Sequence, residues 1–177
     1  MFHTLSVAEV YVLKNFNNYN LIYSDTDSLV YNIYCDDIYN WVNKNKEEFD
    51  LSDDKYNKDN TNKKVLGKFK DEMSGVPMKY FVGLNPKVYA FQCANEEVRK
   101  AKGVKKATLK KDITNSDYNH VLNTGETIER DVYGIRSLGH KVYTLKTNKT
   151  CLSPWYNKMN MPDNNSCIPF GHYSLKN

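Results

Sequence analysis

The stretch Leu21-Ile22-Tyr23-Ser24-Asp25-Thr26-Asp27-Ser28-Leu29-Val30-Tyr31 decides how the chain is read. Leu21-Ile22-Tyr23 and the run from Ser28 to Tyr34 are rich in the branched and aromatic side chains that favour strands. Ser24 to Asp27 are turn formers. Two such runs about a tight acidic turn predict a β-hairpin. Asp25 and Asp27 stand two apart, the spacing at which strand side chains share a face. Carboxylates held together repel one another unless a cation sits between them, and a hard, oxygen-seeking ion such as Mg2+ or Mn2+ is the natural occupant. In two-metal phosphoryl transfer, two such ions roughly 4 Å apart stabilise the attacking and leaving oxygens. A bare Asp-x-Asp is more often an ordinary acidic turn, so the surrounding residues have to decide between the two readings.

Upstream, residues 6–16 read as a helix, with Ser6 and Glu9 as a capping box and Val7, Val10, Tyr11, Val12 and Leu13 as its apolar side. Downstream, residues 36–49 read as a second helix with Ile38, Trp41 and Val42 on one side, and residues 50–64 as a polar, Asn-rich loop. Three β-type segments follow at 65–69, 79–82 and 88–93, punctuated by Ser74-Gly75 and Asn85-Pro86. Residues 116–122 predict a short helix, and 127–135 and 141–145 two strands joined at Leu138-Gly139. The tail from Ser153 reads as irregular chain. The pattern predicts an α+β fold: an antiparallel sheet with helices on one face over residues 1–101, then a smaller unit over 102–177.

The chain has 177 residues, 40% of them hydrophobic and 26% charged, ordinary values for a globular protein. A mean hydropathy of -0.70 and the lack of a long apolar run argue against a membrane span. Met1-Phe2-His3-Thr4-Leu5 lacks the basic-then-apolar pattern of a secretory leader. Cys35, Cys93, Cys151 and Cys167 are widely spaced and form no metal signature, so they are read as reduced thiols of an intracellular protein. The net charge of +4 says little by itself, but its distribution says more. Residues 99–111 contain no acid, and such a run is a candidate phosphate-contact surface.

The run Tyr23-Ser24-Asp25-Thr26-Asp27-Ser28 resembles motif C of the family B DNA polymerases, Tyr-Gly-Asp-Thr-Asp-Ser, with Ser24 in place of glycine. Lys87-Val88-Tyr89 resembles the Lys-x-Tyr motif that follows motif C, notably in the protein-primed branch. Leu66-Gly67-Lys68-Phe69-Lys70-Asp71-Glu72 is similar to the segment between those motifs, and Lys100-Ala101-Lys102-Gly103-Val104 to the entry into the thumb. The ending, from Leu152-Ser153-Pro154 to Gly171-His172-Tyr173, is similar to that of polymerases from Polinton/Maverick-type elements and related viruses. The resemblance thus runs along nearly the whole chain in the family's order.

It implies a partial palm followed by a thumb-like subdomain. Asp25 and Asp27 would be the metal-binding, catalytic carboxylates, and Lys87 and Tyr89 would hold the primer strand. Arg99, Lys100, Lys102, Lys105, Lys106, Lys110 and Lys111 would line the duplex, where phosphate contacts give affinity without sequence preference. Gly103 would allow a tight turn or a close approach to DNA. The implied partners are primer-template DNA, deoxynucleoside triphosphates and a terminal protein primer. Motif A, with its further carboxylate, motif B, with its nucleotide grip, and the proofreading domain have no counterpart in residues 1–177. The chain alone is therefore expected not to polymerise DNA unless another chain supplies them. Two other readings stand beside this one. One is a non-catalytic DNA-binding remnant. The other is an aspartate-nucleophile phosphatase of the haloacid-dehalogenase type, which also opens on an apolar strand and Asp-x-Asp but calls for alternating strands and helices.

Overall fold

A computed structural model describes residues 11–55, 58–156, 159–160 and 168–175. The architecture is α+β, with mostly antiparallel sheets and few helices. The chain divides into two compact units that interleave in sequence, one formed by Met1–Phe81 with Phe91–Val98 and the other by Val82–Ala90 with Arg99–Asn177.

In the first unit, residues 11–15 are helical (α1), and the start of the expected helix lies outside the described residues. Strands β1 (Tyr19–Asp25) and β2 (Ser28–Ile33) pair antiparallel as the predicted hairpin. The ladder runs further than the turn chemistry suggested. Asp25 pairs with Ser28, which leaves only Thr26 and Asp27 in the turn. Ile22 is a bulge: Leu21 pairs with Tyr31 and Tyr23 with Val30, so the side-chain alternation is reset before the aspartates.

Helix α2 (Ile38–Lys44) starts because the Asp37 carboxylate accepts from the backbone N–H groups of Tyr39 and Asn40 at 2.9 and 3.0 Å. It is shorter than the expected 36–49. Asn45 ends it by returning its side-chain amide to the Trp41 carbonyl at 2.8 Å, a local bond that competes with helix continuation. After a 3-10 turn, β3 (Phe49–Asp50) pairs in parallel with β4 (Phe69–Lys70). Of the expected 65–69 strand only this end forms. The Asn62 amide donates to the carbonyls of Lys46, Glu47 and Phe49, and Gly67 adopts a left-handed φ of 82°, so Val65 and Leu66 lie in a turn. The first unit packs around aromatic rings: Tyr11 meets Phe69 at 4.8 Å between centroids, and Phe16 meets Trp41 at 4.7 Å.

Strands β5 (Met78–Asn85), β6 (Val88–Cys93) and β7 (Glu96–Ala101) form a three-stranded sheet in that order, joined by two-residue turns at Pro86-Lys87 and Ala94-Asn95. Turns this short allow only antiparallel neighbours. In the second unit, α3 (Lys106–Asp112) and α4 (Asn115–Thr124) pack against the base of a long hairpin, β8 (Ile128–Leu138) and β9 (Lys141–Leu152). Ile113, Tyr118, Val121 and Leu152 are fully buried here. Gly139 and His140 both have positive φ, the type I′ pattern that suits strand twist. The hairpin is longer than 127–145, and α3 was not expected at all. Past Val132 it projects as a ribbon whose residues up to Thr150 are exposed or half-exposed on both faces. In the tail, β10 (Met159–Asn160) pairs with β11 (Ile168–Pro169).

Cys35, Cys93 and Cys151 are free thiols, and Cys167 lies outside the described residues. Among the described residues no helix is long and apolar enough to cross a membrane.

Candidate functional site

The acidic turn belongs to the first unit. Asp25 is the last residue of β1 and half-buried, whereas Asp27 is exposed at the second position of the turn. Strand alternation therefore does not relate the two, because Asp27 is not on the strand. What relates them is the turn itself. Thr26 takes a φ of 62° and Asp27 does not share that sign, the pattern of a II′ turn, whose first position is ordinarily glycine. The Thr26 hydroxyl donates to Asp25 Oδ1 at 3.0 Å and so orients that carboxylate. Tyr23 lies on the same side of β1 as Asp25, beyond the bulge, and its ring packs 5.6 Å from that of Phe81. None of the hairpin's strand residues is fully buried, and Leu21 and Ile22 remain close to half exposed.

The carboxylate oxygens of Asp25 and Asp27 are the donors that Mg2+ or Mn2+ prefers. Among the described residues no group of three or more Asp, Glu, His or Cys side chains gathers as a metal site. Asp25 and Asp27 would therefore be at most part of a ligand set, the remaining oxygens coming from water, phosphate or a carboxylate elsewhere.

The basic residues belong to the second unit. Lys87 sits in the β5–β6 turn, not within the strand, with a φ of 64° behind Pro86, and Tyr89 lies on β6. Pro followed by a left-handed residue is the type II turn pattern. Lys87 and Tyr89 meet the Lys-Gly segment directly. The Lys87 carbonyl accepts from Lys102 N–H at 3.1 Å, and the Lys100 ammonium lies 5.6 Å from the centre of the Tyr89 ring. Two motifs a dozen residues apart are thereby joined. Gly103 takes the left-handed conformation, φ 86°, in the turn after β7. Lys105 is the residue before α3, and its ammonium donates to the Tyr133 carbonyl. Lys106, Lys110 and Lys111 lie on α3 and Arg99 on β7.

The hairpin contributes charge that the sequence reading did not single out. From Val132 to Leu152 there is no carboxylate, while Arg136, Lys141, Lys146 and Lys149 are present. Lys146 pairs with Asp131 at 2.8 Å, which lowers the Asp131 pKa and raises that of the lysine. A charge count over this run would have found it. Its β periodicity drew attention instead.

Neither a family model, nor a curated protein, nor a solved structure matches the chain.

Proposed function

We propose that the chain is the motif C, primer-grip and thumb-like region of a family B DNA polymerase of the protein-primed type, acting on primer-template DNA. The carrying observation is the run Tyr23–Ser28, in which both aspartates sit at a two-residue hairpin turn. Independent support comes from the second unit, where the Lys-x-Tyr and Lys-Gly segments are bonded to one another beside an acid-free ribbon. Asp25 and Asp27 would hold Mg2+ or Mn2+, which when bound lowers the barrier to nucleotidyl transfer by neutralising phosphate charge. Lys87 and Tyr89 would hold the primer end through an ammonium and a phenol. Lys100, Lys102 and Lys106, with Arg136 and Lys141 near the ribbon tip, would meet phosphates along the duplex.

On this reading a further carboxylate and the nucleotide grip come from outside residues 1–177, and the half-exposed Leu21 and Ile22 are where an added element would pack. The reading of a non-catalytic DNA-binding remnant shares every contact and differs only in lacking that complement. The phosphatase reading is disfavoured because β1 returns at once as antiparallel β2, where that chemistry calls for a strand followed by a helix.

The test is binding of a fluorescein-labelled primer-template to the full chain. Lys87→Ala should weaken binding roughly tenfold, the cost of one charge-assisted contact, and footprinting should show the loss on the primer strand more than on the template. Equal losses on both strands would remove the primer-grip role. Magnesium-dependent primer extension by residues 1–177 alone would overturn the need for a complement.

A further inference from the structure

The backbone that carries Lys100, Lys102 and Lys105 is tied down by side chains from outside it. The Tyr118 hydroxyl donates to the Lys100 carbonyl at 2.9 Å, and the Lys149 ammonium donates to the Gly103 carbonyl at 2.7 Å. The Lys102 N–H is fixed on the Lys87 carbonyl at 3.1 Å. Tyr118 is fully buried on α4, and a phenylalanine would fill the same volume. Its hydroxyl is the part that packing does not require, and it is spent on the residue whose ammonium lies over Tyr89. Lys149 is exposed on β9, close to a run of like charges, yet its ammonium turns inward to a backbone oxygen.

We propose that Tyr118 and Lys149 are positioning residues for the phosphate-contacting segment, a proposal that rests on the nucleic-acid reading above. Neither touches DNA. Tyr118 holds the carbonyl of Lys100 and Lys149 that of Gly103, so that the ammonium groups of Lys100 and of the neighbouring Lys102, respectively, start from a backbone already ordered. Ordering before binding removes a cost otherwise met on binding. Loss of such a residue weakens affinity without changing the number of phosphates neutralised. That number is read from the slope of log K against log salt, which changes by about 0.9 for each phosphate contact on duplex DNA.

The experiment measures primer-template affinity of the full chain by fluorescence anisotropy from about 50 to 200 mM salt, the range over which such slopes are steep. Tyr118→Phe and Lys149→Met should each lower affinity about fivefold, the scale of one hydrogen bond, at unchanged slope. Lys100→Ala should lower affinity and also reduce the slope by about 0.9. In the Lys100→Ala background, Tyr118→Phe should lose most of its effect, because it acts through that residue. Fully additive losses would make Tyr118 a general structural residue and overturn its role. A slope change of about 0.9 in Lys149→Met would make that lysine a direct phosphate contact and overturn its role. If the parent chain does not bind DNA, or Lys100→Ala leaves binding untouched, the nucleic-acid reading itself fails and this proposal falls with it.

Discussion

At the scale of single residues, Thr26 is where backbone preference and proposed chemistry pull apart. A β-branched residue in the left-handed region costs about 1–2 kcal/mol, and Thr26 sits there with a φ of 62°. Glycine relieves that strain but adds entropy to the unfolded chain. Thr26→Gly should therefore raise the unfolding free energy by about 0.5–1 kcal/mol in urea denaturation. The same change removes the hydroxyl that donates to Asp25 Oδ1, so if the turn holds Mn2+ as proposed, its affinity for the ion should fall as stability rises. No gain in stability would show that the turn is unstrained. Asp50 gives a second prediction. Its carboxylate is held down to about 2, chiefly by its bond with Ser52 and then by the backbone N–H of Lys64 at 3.0 Å. A folded value below the unfolded one, about 3.9, means stability that is present at neutral pH. It is lost as pH falls from about 4 through the folded value. Asp50→Asn should flatten the melting temperature over that acid window. An unchanged acid limb would take Asp50 out of the account.

At the scale of elements, α4 is defined by its ends. Thr114 accepts from Asp117 N–H and Asp117 returns a bond to Thr114 N–H at 2.6 Å, a reciprocal capping box, while Gly125 closes the helix at a φ of 75°. Thr114→Ala should cost about 1 kcal/mol, read by thermal denaturation. A cost near zero would mean that Asp117, which also pairs with Arg130 at 3.4 Å, carries the cap alone. Helix α4 was legible because its apolar and polar residues alternate at helical spacing. So were β6 and both hairpins, whose branched and aromatic runs flank recognisable turns, although β9 runs on to Leu152, past its expected end at 145. Helix α3 was not, because Lys105-Lys106-Ala107-Thr108-Leu109-Lys110-Lys111 offers little besides Leu109 to mark a buried side, and its charge drew the reading toward a ligand surface. The bulge at Ile22 was invisible for another reason. Nothing in Leu21-Ile22-Tyr23 says which residue will lose its partner, since strand register is set across the ladder. The same gap misled the sequence argument about Asp25 and Asp27, whose relation comes from the turn. The meeting of Lys87 with Lys102 is likewise a product of strand pairing, and no spacing rule anticipates it.

At the scale of the molecule, the net charge of +4 hides a segregation that matters more than its sum. The acid-free stretches 99–111 and 132–152 both belong to the second unit, where Lys105 and Lys149 bond one stretch to the other. Evenly mixed charge would give weak, salt-tolerant contacts with any polyanion, whereas segregated charge gives a steep salt dependence. The projecting ribbon supplies the sharper test. Arg136 pairs across the strands with Tyr143, and Leu138 with Lys141, so all four side chains share one face near the tip, and both cations are exposed. If that face tracks the duplex, reversing its charge with Arg136→Glu and Lys141→Glu together removes two contacts and adds repulsion. Binding should fall by about 100-fold at low salt, and the salt slope should drop by about 1.8. Folding should be unaffected, because neither residue is buried or contributes to the core at the base of the ribbon. Unchanged binding with unchanged slope would confine the nucleic-acid interface to the segment around Lys87 and Lys100. The exposed Ile135, Leu138 and Val142 would then mark the ribbon tip as a surface for something other than DNA.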